Sequence, residues 1–111
     1  MTITDDEMRQ LLPTTREYTL VILRSGPQRD RPDADAIVWE HGRRNFQLRR
    51  DGQLAVVCPV VDGSAVAGVG IFSTGPEETA AIMDDDPGVQ AGVFSYELHP
   101  CRGFPGDALP A

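Results

Sequence analysis

Two runs of apolar, β-prone residues, 54–61 (LAVVCPVV) and 65–72 (AVAGVGIF), are separated only by Asp62-Gly63-Ser64. A link this short, built from turn residues, reverses the chain at once, so the two runs predict an antiparallel hairpin. Pro59 has no N–H to donate, which places its end of the first run at a sheet edge or a bulge. Whatever else this chain forms must be arranged around that hairpin.

A further β-type run lies on each side of it, 18–24 (YTLVILR), closed by Ser25-Gly26-Pro27, and 93–99 (VFSYELH). Between 33 and 50 there is no proline and only one glycine, Gly42. That segment reads as the main helix, with Asp33 placed to cap it and Asp51-Gly52 to stop it. On a helical projection Ile37, His41 and Leu48 share a face, while Trp39 and Phe46 lie on a separate flank, which predicts packing on two sides. Ser73-Thr74-Gly75-Pro76-Glu77-Glu78 opens a second helix to about residue 85, with Thr74 or Ser73 as cap, Pro76 early and acids in the first turn. Asp86-Pro87 starts another short turn. The order βαββαβ predicts an α+β, ferredoxin-like domain: a four-stranded antiparallel sheet with both helices on one face.

The domain is expected over 18–100, with residues 1–17 as an N-terminal extension and 101–111 as an irregular C-terminal tail. A short helix is expected within 5–12, ended by Pro13. Both alternation sets of the strands are apolar, Val66 and Phe72 on one face and Val69 and Ile71 on the other. Two small helices cover one face only, so a second copy packed sheet to sheet is the expected second layer. A single core of modest size is all that 111 residues provide, which favours such an assembly.

Seventeen acidic residues against ten basic ones give a net charge of −7, a balance that disfavours a nucleic-acid or anionic-membrane partner. All ten basic residues are arginine, so lysine Schiff-base chemistry is excluded. No window approaches a membrane span and the acidic N-terminus lacks the pattern of a signal peptide, so the expected location is the cytoplasm. Cys58 and Cys101 form no disulfide framework and no CxxC pair.

Each of the two histidines is weighed on its surroundings. His41 lies mid-helix on the apolar face, where a hydrogen-bonded structural histidine is the ordinary finding; His99 sits at the end of a strand beside Pro100. Asp84, Asp85 and Asp86 form an acidic run of the kind usually solvated, and Asp86 before Pro87 is in the position of a helix cap. Gly68-Val69-Gly70 lies inside a strand, so it is no dinucleotide loop. His99-Pro100-Cys101 lacks a second pair of ligands, and no metal site is expected. Arg43, Arg44, Arg49 and Arg50 complement the dipole at the end of the main helix. Arg24, Arg29 and Arg31, in and near the first loop, are read as better placed to meet an anionic substrate.

Taken together, a histidine within the first main helix (WEHGRRNFQLRRDG), a proline-containing hairpin (QLAVVCPVVDGSAVAGVGIF) and a Pro-Glu-Glu helix ending in Asp-Asp-Pro (GPEETAAIMDDDPGVQAGVFSYELHP) resemble the YCII-related (YciI-like) family of the dimeric α+β barrel superfamily. The resemblance spans about 18 to 100. It is most specific in the combination of His41, the hairpin, and Asp86-Pro87 followed by Ala91-Gly92 and the closing strand.

The resemblance implies ferredoxin-like protomers paired through their sheets, and a His–Asp dyad of His41 with Asp86. A carboxylate accepting one ring N–H fixes the tautomer and raises imidazole basicity, leaving the other nitrogen to move a proton near neutral pH. That suits lyase or isomerase chemistry on a small cyclic or aromatic substrate. No cofactor motif is visible, so the chemistry is read as cofactor-independent proton transfer. Arg24, Cys58 and Pro59 are the expected substrate contacts. Cys58 departs from the family, in which a glycine commonly precedes this proline; the Asp-Gly-Pro-Phe signature of sigma-factor-associated relatives is also absent. Two other readings stay open: a non-catalytic small-molecule-binding or accessory homodimer, and haem binding with His41 as the candidate ligand.

Overall fold

A computed structural model describes all 111 residues. Its elements run α1 (Asp5–Leu11), a 3-10 turn (Leu12–Thr14), β1 (Arg16–Ser25), α2 (Ala34–Arg50), β2 (Leu54–Pro59), β3 (Val66–Phe72), α3 (Pro76–Asp84), α4 (Pro87–Gln90) and β4 (Phe94–Gly103). The four strands form one antiparallel sheet in the order β2-β3-β1-β4, the ferredoxin-like plan that the sequence predicts.

The hairpin forms as expected: Leu54 pairs with Phe72 and Pro59 with Gly68. Its turn is held by the Ser64 N–H donating to Oδ1 of Asp62 at 3.0 Å, with Gly63 at φ 75°. β2 is an edge strand, which its closing proline tolerates. The strand stops at Pro59, two residues short of the apolar run.

Strand alternation sorts the sheet into two faces. Thr19, Val21 and Leu23 of β1, Gly68, Gly70 and Phe72 of β3, and Leu54 of β2 are buried beneath the helices. They pack with Ala34 and Leu48 of α2, Met83 of α3, and Val93 and Phe94. On the opposite face, Tyr18, Leu20 and Ile22 pair with Cys101, His99 and Glu97, and Val69 and Ile71 pair with Cys58 and Val56. These apolar residues are only half-buried.

Several expectations are corrected. β4 runs on through Cys101 to Gly103 because β1 begins at Arg16, extending the ladder beyond Pro100 at one end and before Tyr18 at the other. Asp33 stands at the N-cap of α2 without bonding the helix, since Arg31 grips both of its carboxylate oxygens. That ion pair holds Asp33 below the usual carboxylate range, through its hydrogen bond and then its charge. α3 is capped by Gly75, not by Ser73 or Thr74; the Thr74 hydroxyl is engaged with that of Thr79 at 2.7 Å. Trp39 and Phe46 remain 71% and 68% exposed, so α2 packs on one side only.

α1 carries a capping box between Thr4 and Glu7, yet no residue from 1 to 14 is buried. No helix of the chain is long and apolar enough to cross a membrane.

Candidate functional site

His41 and Asp86 meet. Nδ1 of His41 lies 2.8 Å from Oδ1 of Asp86, and the two residues are 9% and 1% exposed. α2 supplies the histidine from its sheet-facing side, and the bend between α3 and α4 supplies the aspartate. Oδ2 of Asp86 accepts the Gly88 and Val89 N–H groups at 2.9 and 3.2 Å. The two roles open to Asp86 in the sequence are therefore combined: one oxygen caps α4 and the other holds the imidazole.

Burial pushes the Asp86 carboxyl up, but the His41 hydrogen bond and charge, together with the Val89 and Gly88 N–H groups, outweigh it and hold the pKa below the ordinary value. Asp86 is thus ionised at neutral pH and acts as acceptor, which assigns the shared proton to Nδ1 of His41. Arg44 places a guanidinium near the same oxygen, with Nη1 buried, making no hydrogen bond and lying 3.8 Å from Oδ1. The imidazole packs against Phe94, ring centroids 4.8 Å apart at 53°.

Gly88 is a steric requirement of this arrangement. A Cβ there would fall 2.6 Å from the Phe94 ring and 3.0 Å from Oδ2 of Asp86.

The other imidazole nitrogen, Nε2, lies 3.2 Å from Nδ2 of Asn45, one turn further along α2. With the proton on Nδ1, Nε2 is an acceptor and the Asn45 amide donates to it. Asn45 is the site residue that sequence reasoning missed, although its position four residues after His41 placed it beside the ring.

Beside this pair opens a cavity of about 680 Å³ between α2 and the β2–β3 hairpin. Its walls are mostly apolar, including Val21, Leu54, Val57, Phe72, Met83 and Phe94, and the charged or titratable residues that line it are His41, Arg49, Cys58 and Asp107. Gly42, Gly68 and Gly70 also line it, so space is made where side chains would stand. Such a volume lies within the range of small-molecule sites.

Of the expected substrate contacts, Cys58 and Pro59 line the cavity and Arg24 does not. Register pairs Cys58 with Val69 on the open face of the sheet, so its contribution to the cavity wall is main-chain. Arg24 is on that same face, donating to Glu97 from Nε and Nη2 at 3.0 and 2.7 Å. Arg31 is spent on Asp33 and the Ala91 carbonyl. His99 lies 3.1 Å from Glu97, and Cys58 and Cys101 are free thiols. No cluster of three or more His, Cys, Asp or Glu residues is placed to hold a metal ion.

No family model and no curated protein matches the chain. Among solved structures, the fold is similar to that of 5-chloro-2-hydroxyhydroquinone dehydrochlorinase (TftG) from Burkholderia phenoliruptrix AC1100, determined in complex with 2,5-dihydroxybenzoquinone. The match has a TM-score of 0.54 at 13% identity and covers 74% of this chain and 90% of that one. At this identity the likeness establishes the architecture alone, a ferredoxin-like α+β fold.

Proposed function

We propose that this chain is a YCII-like, small-molecule enzyme in which the His41–Asp86 pair carries out cofactor-independent acid/base chemistry, of lyase or isomerase type, on a small cyclic or aromatic substrate. The observation that carries the reading is the 2.8 Å bond between a buried carboxylate and an imidazole beside an apolar cavity. The neighbouring fold of TftG, bound to a dihydroxybenzoquinone, supports a ring-shaped substrate. Pairing of two copies through the open sheet faces belongs to the same proposal, and it would cover Leu20, Ile22, Val69 and Ile71.

The chemistry follows from the geometry. Nε2 of neutral His41 is the base, and a substrate C–H or O–H displaces the Asn45 amide to reach it. As Nε2 takes the proton, positive charge develops on a ring whose Nδ1–H already donates to an ionised carboxylate, so the imidazolium is stabilised as it forms. The same nitrogen then returns the proton to a neighbouring atom or to a leaving group. Asn45 holds Nε2 while the cavity is empty and can donate to a substrate oxygen once displaced.

The test is turnover of hydroxylated quinones, small cyclic acids and lactones by the full chain, with solvent-deuterium incorporation followed by NMR. His41→Ala should abolish exchange or product formation and Asp86→Asn should lower it on the order of 10²-fold or more. Turnover unchanged in both variants would overturn the proposal. Tight binding without exchange or product would leave a binding module, the reading favoured by the engagement of Nε2 with Asn45.

A further inference from the structure

The main helix ends in four arginines, and the structure separates them. Arg43 is paired with Glu40 at 3.0 Å, Arg44 approaches Asp86 at 3.8 Å, and Arg50 approaches Asp51 at 3.6 Å. Arg49 has no ion pair; its guanidinium carbon lies 5.8 Å from the centroid of the Phe46 ring. Among the four, Arg49 alone lines the cavity, and it is the only arginine that does.

His41, Asn45 and Arg49 stand at i, i+4 and i+8, one row along α2, and all three line the cavity. Successive members of such a row are about 6 Å apart along the axis. Helix side chains lean toward the N-terminus, which brings a guanidinium at 49 back over Phe46 and toward Asn45. A ligand lying along the row would then have its reacting atom at Nε2 of His41 and its far substituent at Arg49, a span about the length of one substituted ring. The row also ranks its groups: a base, a neutral amide and a permanent cation. Asp107, the one carboxylate at the cavity rim, makes no ion pair with Arg49 and leaves the guanidinium open to a ligand.

We infer that Arg49 is the specificity-determining residue of the cavity and that it selects planar, single-ring ligands bearing an anionic substituent, a carboxylate above all, opposite the atom presented to His41. The inference rests on the reading of the cavity as the substrate site. Arg49 matches a carboxylate through its planar fork and keeps its stack on Phe46 while doing so.

The experiment is equilibrium titration calorimetry on the full chain with two probes of one shape, 4-hydroxybenzoate and 4-hydroxybenzamide. The carboxylate should bind about tenfold more tightly than the amide, and raising the salt concentration should narrow the gap. Arg49→Gln should bring the ratio close to one, Arg49→Lys should restore part of it, and His41→Gln should keep it. Equal affinities in the unmodified protein, or a preference that survives in Arg49→Gln, would overturn the role of Arg49 while leaving the cavity as a binding site. Failure of both probes to bind would overturn the cavity reading itself and the inference with it. Arg49 is exposed and unpaired, so its variants fold.

Discussion

Asp86 divides its two carboxylate oxygens between His41 and the start of α4: Oδ1 accepts from the imidazole at 2.8 Å while Oδ2 accepts from Gly88 and Val89. One buried charge therefore fixes both the rotamer of the histidine and the path of the chain that carries the aspartate. Altering it disturbs the imidazole and its scaffold together, and the two effects separate by the choice of replacement.

Asp86→Asn keeps an oxygen for the cap and removes the charge, whereas Asp86→Ala removes both. We expect Asp86→Ala to lose about 2–4 kcal/mol of stability, the sum of a helix cap and a buried charge-assisted hydrogen bond. Asp86→Asn should lose roughly half as much. Urea unfolding followed by far-UV circular dichroism measures both, and equal losses would show that the cap contributes nothing.

The lowered pKa of Asp86 sets a pH dependence. Its ordinary value is 3.8 and the folded value lies below it, so folding favours the ionised form. The stabilisation is present above pH 3.8 and is lost as the pH falls through the folded pKa. The difference in urea midpoint between the unmodified chain and Asp86→Asn should thus be largest near neutrality and shrink below pH 4 (about one unit either way). A difference that grows on acidification would reverse the assigned sign.

Tyr96 titrates at the other extreme. Burial, then the hydrogen bond to Asp84 at 2.6 Å and the charge of that carboxylate, push its hydroxyl up to about 12 from 10.0. A raised folded pKa means that the stabilisation is complete below pH 10.0 and is lost as the pH rises toward 12. Absorbance titration of the phenolate should show a component near 12 that disappears in Tyr96→Phe.

Two glycines near the site should respond in opposite ways. At Gly42 an added methyl meets nothing within 4 Å, so Gly42→Ala should stabilise the helix by about 0.5–1 kcal/mol while intruding on the cavity. Gly88→Ala forces Phe94 or Asp86 to move and should cost about 1–3 kcal/mol together with the His41 bond. Thermal unfolding and the histidine ring-nitrogen NMR signals of the two variants check both halves.

Removing residues 1–14 should change the stability of the body by no more than about 0.5 kcal/mol, because none of them is buried. Differential scanning calorimetry of the shortened chain is the measurement, and a large loss would mean that the arm is bound to something in solution.

Much of this architecture was legible because it rests on local signals. The alternation of apolar runs, the Asp62-Gly63-Ser64 turn, Pro59 at an edge and the Pro-free stretch before Gly52 each act over a few residues, and each is found where the sequence places it. The meeting of His41 with Asp86 is different: residues 45 apart in sequence are joined by packing, and only the family resemblance pointed to it. Caps were misjudged where a distant or stronger partner competed, as Arg31 does for Asp33. Arg24 was expected at the substrate because it adjoins a loop, but strand parity turns it to the open face and Glu97 holds it there. Conversely, Arg49 looked like one more dipole-compensating cation, since a sequence does not show which of four adjacent arginines will find a carboxylate.

The glycines that line the cavity have a consequence for how such a site can diversify. Gly42, Gly68 and Gly70 line the cavity, whereas His41 and Asp86 form the pair proposed to carry the chemistry, and the two groups share no residue. Under that proposal, size and chemistry can change independently. At Gly42 a single added carbon would retune which molecules enter, leaving the His41–Asp86 pair intact to meet a different guest.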